Sequence, residues 1–322
     1  MLGLPLSAAA GTLAKAQTSP KPLKIGVLSA GSQSTDLRRA DPGNPSLQAL
    51  LQGLRDLGYR EPVNLVVESR SGLPDHYAEF ARELVRANVD VIVAAGPTVY
   101  AARRATSSIP IVMVGGAEDP VEKKLVTSLA APGGNVTGLT LQQVDLVGKR
   151  LELLKEVVPG PAPVAVLWEE TSDASWRAAQ SVAAARGWQL LPYKMTDPST
   201  IAPACASAKT SGAGSLLVVS GGLLFRYASH VVQAAANSLL PAIYALRIFP
   251  DQGGLMSYGA DLGDLYRRAA TFVDRIAKGA RAATIPMEQP TKFNLVLNMK
   301  AARALGLVIP QTVLLLADDV IQ

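Results

Sequence analysis

Apolar residues along this chain recur in two alternating rhythms. Short runs such as "LKIGVLS" (23–29), "VNLVVES" (63–69), "DVIVAA" (90–95), "IPIVMVG" (109–115) and "NVTGLT" (135–140) are bounded by Gly, Pro or polar positions and read as buried strands. Between them the spacing changes to three and four. "SLQALLQGLRDLGY" puts Leu47, Leu50, Leu51, Leu54 and Leu57 on one helical face, with Gly58 placed to close the helix. "HYAEFARELVRAN" sets Tyr77, Phe80, Ala81, Leu84 and Val85 inward, and "DPVEKKLVTSLA" predicts a helix with Pro120 near its first position.

The pattern then restarts. "LVGKRLELLKEVVP" aligns Val147, Leu151, Leu154 and Val158. Strand-like "PVAVLW", "WQLLPY", "GSLLVVS", "PAIYAL" and "GLMSYG" follow, with helical "SWRAAQSVAAARG", ended by Gly187, and "YASHVVQAAANSLL" among them. Such alternation implies an α/β protein with two doubly wound lobes, each a largely parallel sheet covered by helices on both faces. A long helix, "ADLGDLYRRAATFVDRIAKGARAA", would bury Leu262, Tyr266, Ala269, Ala270, Val273 and Ile276. After it, "TKFNLVLNMKAARALGLVIP" gives one more strand and a short helix stopped at Gly306. These last elements are too few for a third lobe and must pack back on the first two, so several crossings between lobes would form a hinge. The expected division is 23–139 with 263–289, and 140–262 with 290–322.

Composition narrows the function classes. At 322 residues the chain can build two cores, and 48% hydrophobic residues exclude a disordered protein. The net charge of +5 is scattered, part of it in Lys15, Lys21 and Lys24, and no basic stripe argues for nucleic acid. Residues 1–22 read as a leader and linker: "LGLPLSAAAGTLAKAQ" is apolar and ends in Ala14-Lys15-Ala16, a signal-peptide-like cleavage pattern that places the mature start after Ala16. The usual positive leader is missing, since only Met1 and Leu2 precede the apolar part; the bland alternative is an Ala-rich tail. The apolar part is too short to span a membrane. Cys205 is the only cysteine and reads as a small buried residue.

Motifs of catalysis are missing. No H-E-x-x-H, C-x-x-C or clustered His/Cys set points to a metal, no G-x-S-x-G elbow is present, and Leu139 stands where a Walker lysine would be needed after Gly133 and Gly138. The first strand-to-helix loop, "LSAGSQS", lacks the dinucleotide turn. No cofactor, metal or catalytic residue is therefore expected. What remains is a set of polar residues at strand C-termini, the edge where ligands bind in open α/β sheets. In the first half these are Ser29, Thr98 in "AGPTV", Asp119 in "GGAEDPV" and Thr137; in the second, Glu170 and Ser172 in "WEETSDAS", Ser220, Tyr258 and Asp261. Each could simply cap a helix: Thr98 and Asp119 as N-caps, Ser172 or Asp173 likewise. On facing edges of two lobes, the set is better accounted for by a ligand cleft. The turn Gly96-Pro97-Thr98 offers free N–H groups and a helix's positive end, which suit a carboxylate, with the Thr98 hydroxyl as a further donor.

The segments "APGGNVTGLT", "KRLELLKEVVP", "GGLMSYGADLGDLYRRAATFVDRIAKGARAATIPMEQPTKFNLVLNMKAARALGLVIPQTVLLLADDVI" and "GLRDLGY" resemble those of the tryptophan/tyrosine-type ABC-transporter substrate-binding proteins, over residues 23 to 321. The resemblance implies a periplasmic-binding-protein-like type I fold with two Rossmann-like lobes, three crossovers and ligand closure between them. It implies a monomer exported to the periplasm that delivers an amino acid, aromatic favoured, or another small carboxylate, to a membrane permease with its ATPase. By the same resemblance, Gly96, Pro97 and Thr98 form the carboxylate loop, Asp119 and Pro120 match the "DPV" loop, Thr137 lies in a crossover, Ser172 in the second-lobe loop and Asp261 after the last core strand. Departures at Glu122, Lys123 and Lys124 and in "WEETSDAS" bear on ligand identity more than on fold. Rival readings are a sensor for a membrane receptor, a two-domain cleft enzyme, and a transcription regulator, the last lacking any helix-turn-helix before Lys24.

Overall fold

A computed structural model describes residues 21–30, 44–116, 119–219 and 221–322. The expected leader and its cleavage point after Ala16 lie outside these residues, as does Ser220. The first half runs β1 (Leu23–Ala30), α1 (Pro45–Asp56), β2 (Leu65–Gly72), α2 (Pro74–Arg86), β3 (Val91–Ala95), α3 (Thr98–Ala105), β4 (Ile111–Val114) and β5 (Val136–Leu139). The second continues with α4 (Val147–Val157), β6 (Val164–Trp168), α5 (Asp173–Arg186), β7 (Leu190–Lys194), α6 (Ile201–Thr210), β8 (Ser215–Val218), α7 (Gly222–Arg226), α8 (Ala228–Asn237), β9 (Ala242–Tyr244), α9 (Ile248–Asp251) and β10 (Met256–Ala260). The chain ends with α10 (Leu262–Ala277), β11 (Phe293–Asn298), α11 (Met299–Ala304), α12 (Gln311–Leu316) and β12 (Asp319–Ile321).

Among the described residues the strands form two sheets, ordered β2-β1-β3-β4-β5 and β12-β11-β10-β9-β8-β6-β7. The first is wholly parallel. The second is parallel except where β11 returns antiparallel to β10. The doubly wound α/β architecture expected from the alternation is therefore present. In each sheet the order reverses direction beside the first strand of its lobe, β1 and β6 respectively, which leaves a crevice at the strand C-termini there.

Local chemistry explains the elements that face this crevice. Asn44 caps α1, its side-chain oxygen accepting from the N–H groups of Ser46 and Leu47, with Pro45 in the first turn. Leu47, Leu50, Leu51 and Leu54 are buried as the periodicity requires, but Leu57 lies past the last helical residue and is 41% exposed. The long helix α10 packs Leu265, Tyr266, Ala269, Phe272 and Val273 into the core of the first sheet, alongside Leu50, Leu54, Val91 and Val112. It leaves from β10 of the second sheet and the chain returns through β11. Together with the passage from β5 to α4, the described chain thus passes between the sheets three times.

One expected helix does not form. Residues 120–124 make a single turn: Asp119 accepts from the N–H groups of Val121 and Glu122, and Leu125 and Val126 both return their N–H groups to the Pro120 carbonyl. Lys124 then takes a left-handed φ of 56°, which ends any helix there. Helix-favouring Glu122, Lys123 and Lys124 are overridden by this local closure. Conversely, α6, α12 and β12 were not foreseen. The buried face of α6 is Ile201, Ala204, Cys205 and Ala208, small residues whose periodicity is faint against an Ala-rich background. Cys205 is fully buried, and that burial pushes its thiol pKa up to about 11.

Candidate functional site

The C-terminal edges of the two sheets face each other across a seam. On the first-lobe side, Ser29 lies near the end of β1, in register with Ser71 of β2. Gly96 turns the chain out of β3 with φ 55°, and Pro97 leads into α3. On the second-lobe side, the loop after β6 carries Glu169 to Ser172 and the loop after β8 leads into α7. The lobes touch at several points. A Cβ placed on Gly222 would lie 3.6 Å from Pro97 Cγ. The Arg226 guanidinium donates from Nη2 to the Tyr77 hydroxyl at 3.0 Å. Arg177 of α5 lies 3.6 Å from Glu122. Asp119, Glu122 and Lys123 face Glu170, Thr171 and Arg177 across a cavity of about 30 Å³.

The foreseen residues divide into groups. Gly96, Pro97, Asp119 and Glu170 reach this seam. Glu170 is exposed and paired with Lys194, a hydrogen bond that holds its carboxyl below the usual range. Ser29 sits at the strand edge beside them. Ser172 is buried, and its hydroxyl exchanges hydrogen bonds with the Glu169 backbone at 3.0 Å, closing the turn that opens α5. Thr137 is fully buried and donates to the Ile285 carbonyl at 2.8 Å, so it fastens a return segment to β5. Asp261 caps α10 by accepting from the Asp264 N–H and also accepts from the Asn294 side chain, bracing two crossings. The Tyr258 carbonyl accepts from Arg150 Nε at 2.7 Å. Ser220 lies outside the described residues.

Thr98 differs most from expectation. It is the first residue of α3, not its cap, and it is fully buried. Its hydroxyl lies 2.8 Å from the Leu28 carbonyl and 2.9 Å from the Ala95 carbonyl, both acceptors. A hydroxyl has one proton, and here it is committed to the backbone, leaving none for a carboxylate. Thr98→Val is accordingly expected to cost about 1–2 kcal/mol of folding stability, the scale of a buried polar partner lost, and to leave ligand affinity within twofold. Chemical denaturation beside a binding titration checks both.

Residues that the motifs did not mark carry much of the geometry. Glu169 is 7% exposed, and its carboxylate accepts from the N–H groups of Gly221, Leu223 and Leu224 at 2.9–3.1 Å and from the Thr171 hydroxyl at 3.1 Å. The start of α7 is thereby filled from within by a side-chain anion. Gly221 makes this possible, because a Cβ there would fall 2.5 Å from the Glu169 carboxyl carbon. Tyr77 is buried, and that burial raises its pKa against the opposing effect of Arg226. In sequence Tyr77 read only as one of an inward helical stripe, and Arg226 belonged to no motif. Arg150 is 1% exposed with no acidic partner among the described residues: it donates to the carbonyls of Tyr258 and Gln143 and to Gln143 Oε1. It ties the first crossing to the second.

Among the described residues no group of three His, Cys, Asp or Glu could hold a metal ion, and no helix is long and apolar enough to cross a membrane. Residues 43–321 match the model of the ABC transporter substrate binding protein family. The chain belongs to that family. Its members are substrate-binding proteins, and this one is 25% identical over 274 residues to a tyrosine-binding protein of Clostridioides difficile (strain R20291), covering 82% of this chain and 78% of that one. In structure this substrate-binding protein is similar to a conserved domain protein from Vibrio cholerae O1 biovar El Tor, with a TM-score of 0.83 and 27% identity over 93% of this chain and all of that one. It also shares its fold with an ABC domain from Streptococcus pneumoniae in complex with L-Trp, with a TM-score of 0.82 and 24% identity over 94% of this chain and all of that one. The resemblance carried by the "NVTG" and "QPTKF" segments is thus a membership, and the two-lobed fold it implied is the fold of its relatives.

Proposed function

We propose that this substrate-binding protein serves an ABC importer outside the cytoplasm, capturing an amino acid, aromatic favoured, between its lobes by hinge closure and presenting it to a membrane permease coupled to an ATPase. The observation that carries this reading is the seam itself. Side chains from the C-terminal edges of both sheets meet there, with the buried Tyr77 hydroxyl of one lobe accepting from Arg226 of the other at 3.0 Å. A solute lying in that seam touches both lobes only when they are closed, so its contacts favour the closed state over the open one. The permease would then read the closed shape. The tyrosine and L-Trp named for two of its relatives support an aromatic amino acid as first choice. The Gly96-Pro97 turn, Asp119 and Glu170 remain the proposed contacts of its polar end, with Ser29 and the main chain at Thr98 beside them.

A thermal-shift screen of amino acids and small organic acids tests the reading. An aromatic amino acid at 100 times its dissociation constant is expected to stabilise the protein by about 2.7 kcal/mol. A flat response to every amino acid and carboxylate would contradict it.

A further inference from the structure

The seam holds several cations, and all but one of them lie beside carboxylates. Arg177 lies near Glu122 and Asp173, Lys194 pairs with Glu170, and Lys123 acts on Glu170 as well. Arg226 is different. Among the described residues its partner is the neutral Tyr77 hydroxyl, and its Nε–H is buried with no acceptor. Arg226 as a whole is half-buried, but a charged group with a buried, unused donor is costly, and an anion is what offsets that cost. Its position is fixed: Gly222 and Arg226 are four residues apart on one face of α7, and Gly222 lies against Pro97 of the other lobe. Three backbone donors at the start of α7, those of Gly221, Leu223 and Leu224, are already taken by Glu169, so what the helix offers the seam is chiefly its cation.

Building on the function proposed above, we propose that Arg226 is the group that reads the ligand's carboxylate. The Nε–H side of the planar fork donates to the carboxylate while Nη2 stays on Tyr77, so filling the site and latching the lobes become one event. The specificity this predicts is for the carboxylate itself: a ligand lacking it leaves the Nε–H unpaired and forfeits much of the closure energy. Tyr77 acts as a positioning residue, since its hydroxyl orients the guanidinium from the opposite lobe.

Calorimetric titration of L-tyrosine, L-tryptophan and L-leucine against tyramine, tryptamine and isoamylamine, their decarboxylated counterparts, tests this on the full chain. The parent protein is expected to bind at least one amino acid and to prefer it over its amine by more than 100-fold. Arg226→Gln should weaken the amino acid by 50-fold or more but the amine by only about fivefold, the latch with Tyr77 being lost for both, so that the preference shrinks at least tenfold. Arg226→Lys should fall between, and Tyr77→Phe should weaken both ligands by about fivefold with the preference kept. Unliganded melting of each variant reports folding separately. If the parent binds an amino acid and Arg226→Gln either leaves that affinity intact or weakens acid and amine equally, Arg226 does not read the carboxylate and the functional proposal survives. If the parent binds none of the three, this inference falls, and a flat response across the full amino-acid screen takes the functional proposal with it.

Discussion

Arg150→Ala is expected to destabilise the protein by about 4 kcal/mol, the sum of a large buried volume lost and acceptors left unpaired. The side chain is 1% exposed, and its guanidinium is held by the Tyr258 carbonyl at 2.7 Å, the Gln143 side-chain oxygen at 2.6 Å and the Gln143 carbonyl at 3.3 Å. Removing it leaves those oxygens buried without a donor, in the crossings that join the two sheets. Arg150→Met, which keeps the volume, should recover only the cavity part, and Arg150→Lys, with a point charge in place of a fork, should retain the charge but not all three contacts. Burial pushes the Arg150 pKa down to about 9, so it remains charged at neutral pH. Since the folded value lies below the unfolded one, the folded chain binds fewer protons between pH 9 and the ordinary arginine range. This group's contribution to stability therefore grows as pH rises through that window and is lost as pH falls through 9. The alanine variant should lack that alkaline gain. Urea denaturation at pH 7 and at pH 10 measures both effects; a loss below 1 kcal/mol at pH 7 would contradict the clamp.

Glu169→Gln is expected to cost about 2–3 kcal/mol, the scale for hydrogen bonds to a charged group. An amide keeps one acceptor but turns an NH₂ toward the Leu223 N–H and the Thr171 hydroxyl, where the carboxylate had accepted from both. Because α7 is only five residues long, it has little intrinsic stability and depends on this anchor. Its loosening displaces Arg226, so ligand affinity should fall as well, by about tenfold or more if one good hydrogen bond's worth of geometry is lost. Amide hydrogen exchange localises the effect: Leu223 and Leu224 should lose protection while the strands of the first sheet keep theirs. Unchanged protection at those two amides would remove Glu169 from this role.

The alternation of strand and helix was legible because each core strand is a short apolar run and most helices carry a Leu- or Tyr-based stripe. Elements with weaker contrast were not. The Ala-rich face of α6 barely differs from its surroundings, and the turn at 119–124 is governed by an aspartate side chain that outbids helix-favouring neighbours. The same limit applies to the site. Strand-end position marked Pro97, Asp119 and Glu170, which lie at the seam. It could not tell which hydroxyls there are already engaged: Thr98, Thr137 and Ser172 all spend theirs on backbone groups. Nor could it find the contact between Tyr77 and Arg226, which spans 149 positions in sequence.

Small-angle scattering with and without the amino acid that gives the largest thermal shift addresses the central claim most directly, that a solute joins the two lobes across their seam. The radius of gyration should fall on saturation, and the liganded profile should fit the closed arrangement with Tyr77 and Arg226 in contact. Superimposable profiles for the free and saturated protein would contradict the account.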